Sequence, residues 1–356
     1  MKYDLTQARK CIETLDKRRF DRALLGSGDA FRHIVSLVPL LLHLNHPALP
    51  GYVEDAPAGI ADFILSNYQQ NFLSKEHPEL VEYVQSAVNS DAVFTPILGI
   101  YVMGSFGSIS QTSASDLDIW ICHQDDLSEQ DQQRLAEKTK KITQWASTFH
   151  VEMHFYLMTQ KRFRNERYSD PLTKENSGSA QYMLLLEEFY RSAVRLSGKP
   201  LLWLHLWVED EKQYEAEVAR LVAEGELNPN DWVDFGGLGQ FSASEYFGAS
   251  LWQLYKGIDS PYKSVMKILL LETYAQEYPN AHLIARQFKE DLLSGRSTAA
   301  HHFDPYISIL ERISQYLTAH SEFKRLDFVR SCFYVKATED FALYHASNWR
   351  ISYMKM

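Results

Sequence analysis

With 356 residues, 45% of them hydrophobic, the chain is long enough for two or three packed units around a sizeable core. Ordinary apolar content without low-complexity tracts or long charge blocks excludes a disordered polypeptide. A formal net charge of -10 with no basic stripe argues against a template-reading polymerase or any other partner of a nucleic-acid backbone.

The apolar stretch at 200–208 is too short to span a bilayer, and the first residues lack the apolar core of a secretion signal. Cys11, Cys122 and Cys332 are few, odd in number and widely spaced. That usage fits a reducing cytoplasm better than a disulfide framework.

Residues 6–25 read as a charged amphipathic helix with Cys11, Ile12, Leu15 and Phe20 as a rough apolar stripe. Residues 31–44 form a strongly apolar helix, broken by Pro47 and Pro50-Gly51. From Ala92 the texture turns to β. An apolar strand at 97–103 ends at Gly104-Ser105, and a second strand occupies 117–123. Ser128 caps the next helix, with Asp131 three residues on and Ile142, Trp145, Ala146 and Phe149 as its inner face. A third strand covers 151–157, and after Phe189 the chain is mainly helical. The acidic segment at 209–217 and Asn228-Pro229-Asn230 mark a boundary. Helices follow at 244–256 and 261–274, and Asp304-Pro305 opens another before a polar tail expected to be poorly ordered. The fold class is α+β, with units at 1–90 (helical), 91–208 (sheet-bearing and catalytic) and 209–356 (helical).

Side chains two residues apart on a strand share a face, so Asp116 and Asp118 can bind divalent cations side by side. Gly104 and Ser105 stand where backbone N–H groups can meet a phosphate. An Asp-x-Asp alone is more often a solvated turn or strand edge. Here it lies in a strand apolar enough to be central, where a carboxylate needs a partner or a metal. Glu152 is the candidate third acid, with His154 and Tyr156 on its face of the third strand. Two divalent ions on such carboxylates suit nucleotidyl transfer at the α-phosphorus of a nucleoside triphosphate.

Gly-Ser, a spacer and Asp-x-Asp between hydrophobic residues resemble the polymerase-β-type nucleotidyltransferase superfamily. The fuller string at 103–124 is similar to the bacterial class I adenylate cyclases. Arg22-Ala-Leu, 41–47, 188–199 and, most specifically, 245–267 carry the same resemblance. It implies a polymerase-β-like sheet with an N-terminal helical segment packed on it and a C-terminal helical domain closing the nucleotide cleft. It also implies conversion of ATP to 3′,5′-cyclic AMP and pyrophosphate with Mg²⁺, two ions, or Mn²⁺ in their place. Ser105 is then expected to contact phosphate, Asp116 and Asp118 to bind metal, and Ser115 to support the loop or a phosphate. Trp120 packs. Lys263 and Lys267, one helical turn apart, are the candidates for the triphosphate. Members of the family carry a large C-terminal regulatory region, and the match here fades after 332–336.

Two rival readings remain. One is a transferase that moves a nucleoside monophosphate onto a separate acceptor. The other is a non-catalytic nucleotide-binding regulatory module, against which the intact Asp116/Asp118 pair speaks. A zinc site at His43 and His46 is discounted, because Pro47 follows and no cysteine lies nearby. His301-His302 reads as surface loop. Ser105 or Ser115 as a hydrolase nucleophile lacks the Gly-x-Ser-x-Gly context. Trp203, Trp207 and Cys122 read as core.

Overall fold

The computed structural model describes residues 5–25, 27–88, 95–112, 115–165, 182–239, 241–294 and 303–338. Ser113 and Ala114, His301-His302 and the polar tail from 339 lie outside the described residues. The chain begins with helices α1 (Leu5–Leu25), α2 (Asp29–His43), α3 (Asn67–Glu76) and α4 (Val81–Val88). Strands β1 (Ile97–Met103) and β2 (Leu117–His123) follow, then α5 (Glu129–Ser147), β3 (Met153–Met158) and α6 (Gln160–Asn165). Next come α7 (Tyr182–Ser192), β4 (Val194–Gly198), α8 (Leu202–His205) and α9 (Tyr214–Ala223). The last helices are α10 (Ala243–Lys256), α11 (Pro261–Gln276), α12 (Ile284–Ser294), α13 (Pro305–Ala319) and α14 (Phe323–Thr338).

The four strands form one mixed sheet in the order β3-β2-β1-β4. β2 runs parallel to β3, while β1 is antiparallel to both β2 and β4. Every residue of β1 is buried, as its unbroken apolar run requires of a strand covered on both faces. β1 and β2 coincide with the runs expected from sequence. β3 starts two residues later than expected, at Met153. β4 is a departure: the chain does not go straight from α7 into further helices. Val194-Arg-Leu-Ser-Gly198 is too short to show a period, and only pairing with β1 makes it a strand.

The two faces of the sheet belong to different cores. Ile100, Val102, Ile119 and Ile121 pack with Ile34 and Leu41 of α2 and Ile142 of α5. Tyr101, Met103, Trp120 and Cys122 pack on the other side with Phe189, Trp203, Met266 and Ile309. This second core runs without a break across position 208, so sheet and C-terminal helices share their interior. Trp120 stacks on Phe189 at 4.0 Å and Trp203 on Tyr190 at 4.2 Å, which makes both indoles packing groups.

Local signals shape the helix ends. Ser128 Oγ accepts the Asp131 N–H at the start of α5. That helix stops at Ser147, so Phe149 lies past its end and stays 38% exposed instead of joining the inner face. His43 Nδ1 accepts the Ile60 N–H at 3.1 Å, and its ring stacks on Phe63. Burial lowers the His43 pKa to about 4. Cys11, Cys122 and Cys332 are free thiols. Among the described residues no helix is long and apolar enough to cross a membrane.

Arg19 ties α1 to both halves. Its guanidinium is buried and donates to the backbone carbonyls of Arg191, Ala193 and Phe303. Its own carbonyl lies against the turn after β1: a Cβ at Gly107, where φ is +67°, would sit 2.3 Å from that oxygen. Gly107→Ala is therefore expected to destabilise the chain by about 2 kcal/mol or more, through backbone strain and the clash together. Thermal denaturation checks this, and an unchanged midpoint would contradict the close approach.

Candidate active site

The turn leaving β1 stands beside the first acidic position of β2. Met103 pairs with Asp118 across the two strands. Gly104 has φ +87°, and the nearest atom to a Cβ built there is Asp118 Oδ2 at 3.9 Å. The bend and the carboxylate thus share one corner. Its N–H groups are mostly engaged already. Gly104 donates to Ser192 Oγ at 3.1 Å, Gly107 to Gln111 Oε1 at 2.6 Å and Ile109 to Asp304 Oδ2 at 2.7 Å. Among the described residues, the N–H groups of Ser105 and Phe106 have no protein acceptor, so these two can face an incoming anion. The expectation for Gly104 shifts accordingly. Its N–H is spent on Ser192, and its contribution is a backbone geometry that a side chain would resist.

Ser115 closes the far end of this loop. Its Oγ accepts the Thr112 N–H at 2.9 Å, and its own N–H donates to the Thr112 carbonyl. Of its two expected roles, loop support is the one these bonds display.

Asp118 projects from β2 on the Trp120 face, toward the C-terminal helices. Tyr156 donates to its Oδ1 at 3.3 Å, and His154 is its register partner on β3. Burial, reinforced by the neighbouring Asp116 charge, pushes the Asp118 carboxyl up to about 6 against the pull of Lys263, His154 and Lys267. These groups define who faces whom: Asp118 of β2 and Asp116 just before that strand, two lysines from α11, and His154 of β3. Tyr306 is the foremost influence holding the Lys263 ammonium protonated, followed, against the cost of burial, by Asp116, Glu188 and Asp118. Lys267 Nζ lies 2.6 Å from Glu188 Oε1. Burial opposes charge on Glu188, yet Lys267 and Arg191 outweigh it and hold its carboxyl down at about 2.

Glu152 shares the Asp118 face by register but not the cluster. It precedes β3, its carbonyl accepts the Leu117 N–H, and its carboxylate is 71% exposed, 3.2 Å from His154 Nε2. Among the described residues no group of three histidine, cysteine or acidic side chains converges to hold a metal. The structure therefore gathers Asp116, Asp118, Lys263 and Lys267 beside the Gly104-Ser105 turn and leaves Glu152 at the rim.

Sequence reading missed Glu188, which orients Lys267, and Asp304, whose Oδ1 caps α13 while Oδ2 holds Ile109. Asp304-Pro305 carries a helix-start signal, but its bond to a loop 195 positions earlier has no sequence trace.

Residues 4–204 match the family model for the adenylate cyclase NT domain, and residues 241–356 match the second domain of class-I adenylate cyclases. The chain belongs to the class-I adenylate cyclase family. The adenylate cyclase of Haemophilus influenzae is 68% identical over all of this chain and 43% of its own length. That of Pasteurella multocida is 59% identical with the same shares, and that of Escherichia coli K12 is 45% identical over 95% of the chain and 40% of its own. The chain thus spans under half the length of these curated relatives. No solved structure matches it.

The raised Asp118 pKa has a stability consequence. A carboxyl whose folded value lies above its unfolded one favours folding only while protonated, so stability falls as pH rises from about 4 to about 6. Asp118→Asn, without divalent ions at pH 7.5, is expected to leave the thermal midpoint unchanged or raise stability by about 2 kcal/mol. A clear drop would show that the carboxylate is a structural partner instead.

Proposed function

We propose that this chain converts ATP to 3′,5′-cyclic AMP and pyrophosphate by intramolecular nucleotidyl transfer on a polymerase-β-like sheet. One observation carries the reading: a half-buried acidic pair, a turn with two backbone N–H groups free among the described residues and two lysines from a separate helix converge on one corner. The family relationship, including relatives named adenylate cyclase, agrees with it.

The residues suit a divalent ion. Two carboxylates crowd a half-buried corner where Asp118 resists charge, and Mg²⁺ needs only one or two protein carboxylates beside phosphates and waters. Asp116 and Asp118 would hold Mg²⁺ or Mn²⁺, and two such ions would acidify the ribose 3′-hydroxyl and neutralise the departing pyrophosphate. Glu152 enters only by moving from the rim.

The protein's own work is positioning. The N–H groups of Ser105 and Phe106 hold phosphate oxygens. Lys263 and Lys267 hold the β- and γ-phosphates from α11, with Glu188 fixing the direction of Lys267. The ribose 3′-oxygen gives up its proton to water and bonds to the α-phosphorus in line with the bond to pyrophosphate, which breaks and leaves with its electron pair on the pyrophosphate oxygen. Because the acceptor is part of the substrate, no second binding groove is needed. The acidic net charge is consistent with that.

Incubating the purified chain with ATP and Mg²⁺ should yield cyclic AMP and pyrophosphate in equal amounts. Asp116→Asn or Asp118→Asn should lower the rate by about 1000-fold or more with the fold retained, and Lys263→Ala should mainly raise KM. Product only after addition of a separate acceptor, or near-normal turnover in either Asn variant, would refute the reading.

A further inference from the structure

We propose that Tyr306 is a substrate-binding residue whose hydroxyl donates a hydrogen bond to an oxygen of the triphosphate chain, next to Lys263. This deepens the nucleotide reading above and rests on it.

Tyr306 is 2% exposed, and among the described residues its hydroxyl has no hydrogen-bond partner. Other deeply buried tyrosines are all satisfied. Tyr101 bonds the Lys199 carbonyl, Tyr190 the Gly236 carbonyl, Tyr214 the Asp234 carboxylate and Tyr274 the Glu187 carboxylate. The two other unpartnered buried atoms, Arg19 Nε and His205 Nε2, belong to side chains anchored through their remaining nitrogens. Tyr306 has a single polar side-chain atom, and that atom is the one left over. A buried hydroxyl without a partner costs stability that phenylalanine in the same space would avoid.

Its position says what the partner is. The Lys263 ammonium lies over the Tyr306 ring, 5.9 Å from its centre. Asp304 Oδ1 accepts the Tyr306 N–H at 3.0 Å while Oδ2 accepts the Ile109 N–H at 2.7 Å. One carboxylate thus pins both the start of α13 and the loop continuing from Gly104-Ser105. The phenol ring lies beside the Lys263 ammonium, and the Tyr306 backbone shares one carboxylate with the loop that continues from Gly104-Ser105, so an anion rich in acceptor oxygens drawn to Lys263 suits the hydroxyl too.

Tyr306→Phe removes only the oxygen. Four quantities test it: the ligand-free thermal midpoint, the dissociation constant of inorganic tripolyphosphate with Mg²⁺, and KM and kcat for cyclic AMP formation. The expected result is an unchanged or raised midpoint, with tripolyphosphate affinity and kcat/KM for ATP both weakened about tenfold. Wild-type affinity in the Phe variant would overturn the proposal. So would a lowered midpoint, which would reveal a structural partner for the hydroxyl. A wild-type chain that binds tripolyphosphate but forms no cyclic AMP would refute the cyclase reading alone, and Tyr306 would then stand or fall on the affinity ratio. A wild-type chain that binds no tripolyphosphate would sink both.

Discussion

A carboxylate on the inner face of a buried strand needs positive charge close by, and Asp118 is that carboxylate here. Its neighbours on β2 are apolar and fully packed, and Asp116 adds a second negative charge to the same corner. The lysines of α11 supply part of the compensation. Their arrival requires that α11 pack over the Trp120 face, which the shared core of aromatic and aliphatic side chains enforces. Electrostatic demand at one end of the sheet and hydrophobic closure behind it therefore select the same arrangement.

The compensation is graded. Lys267 is engaged by Glu188, a carboxylate held firmly ionised, so its position is set before any ligand arrives. Among the described residues Lys263 has no such ion pair. It lies over an aromatic ring and faces the acidic pair at longer range. A rigid cation beside an adaptable one is a workable pair for a polyanion, since one fixes register and the other follows the phosphate.

The turn after β1 owes its shape to contacts far along the chain. Arg19 and Gly107 press it against α1, Ser192 takes the Gly104 N–H, and Asp304 takes that of Ile109. Ser192, Gln111 and Asp304 each remove a donor that a phosphate would otherwise use, and among the described residues the two left over belong to consecutive residues, Ser105 and Phe106. The site is narrow because its surroundings have already satisfied most of the loop.

Local chemistry was enough to read β1, β2, α2, α10 and α11 from the residues through an apolar run or a sharp terminus, and α1 from a rougher stripe. That Asp116 stands close enough to Asp118 for its charge to raise the Asp118 pKa follows from their i, i+2 spacing, although β2 begins at Leu117 and Asp116 precedes it. Tertiary structure alone decided the rest. β4 exists only because β1 has a free edge for it. Glu152 falls outside the cluster because β3 begins one residue after it, leaving its side chain to solvent and His154. Glu188 meets Lys267 across 79 positions of chain, and Asp304 meets Ile109 across 195. No spacing rule reports such meetings, because they follow from how two cores share one sheet.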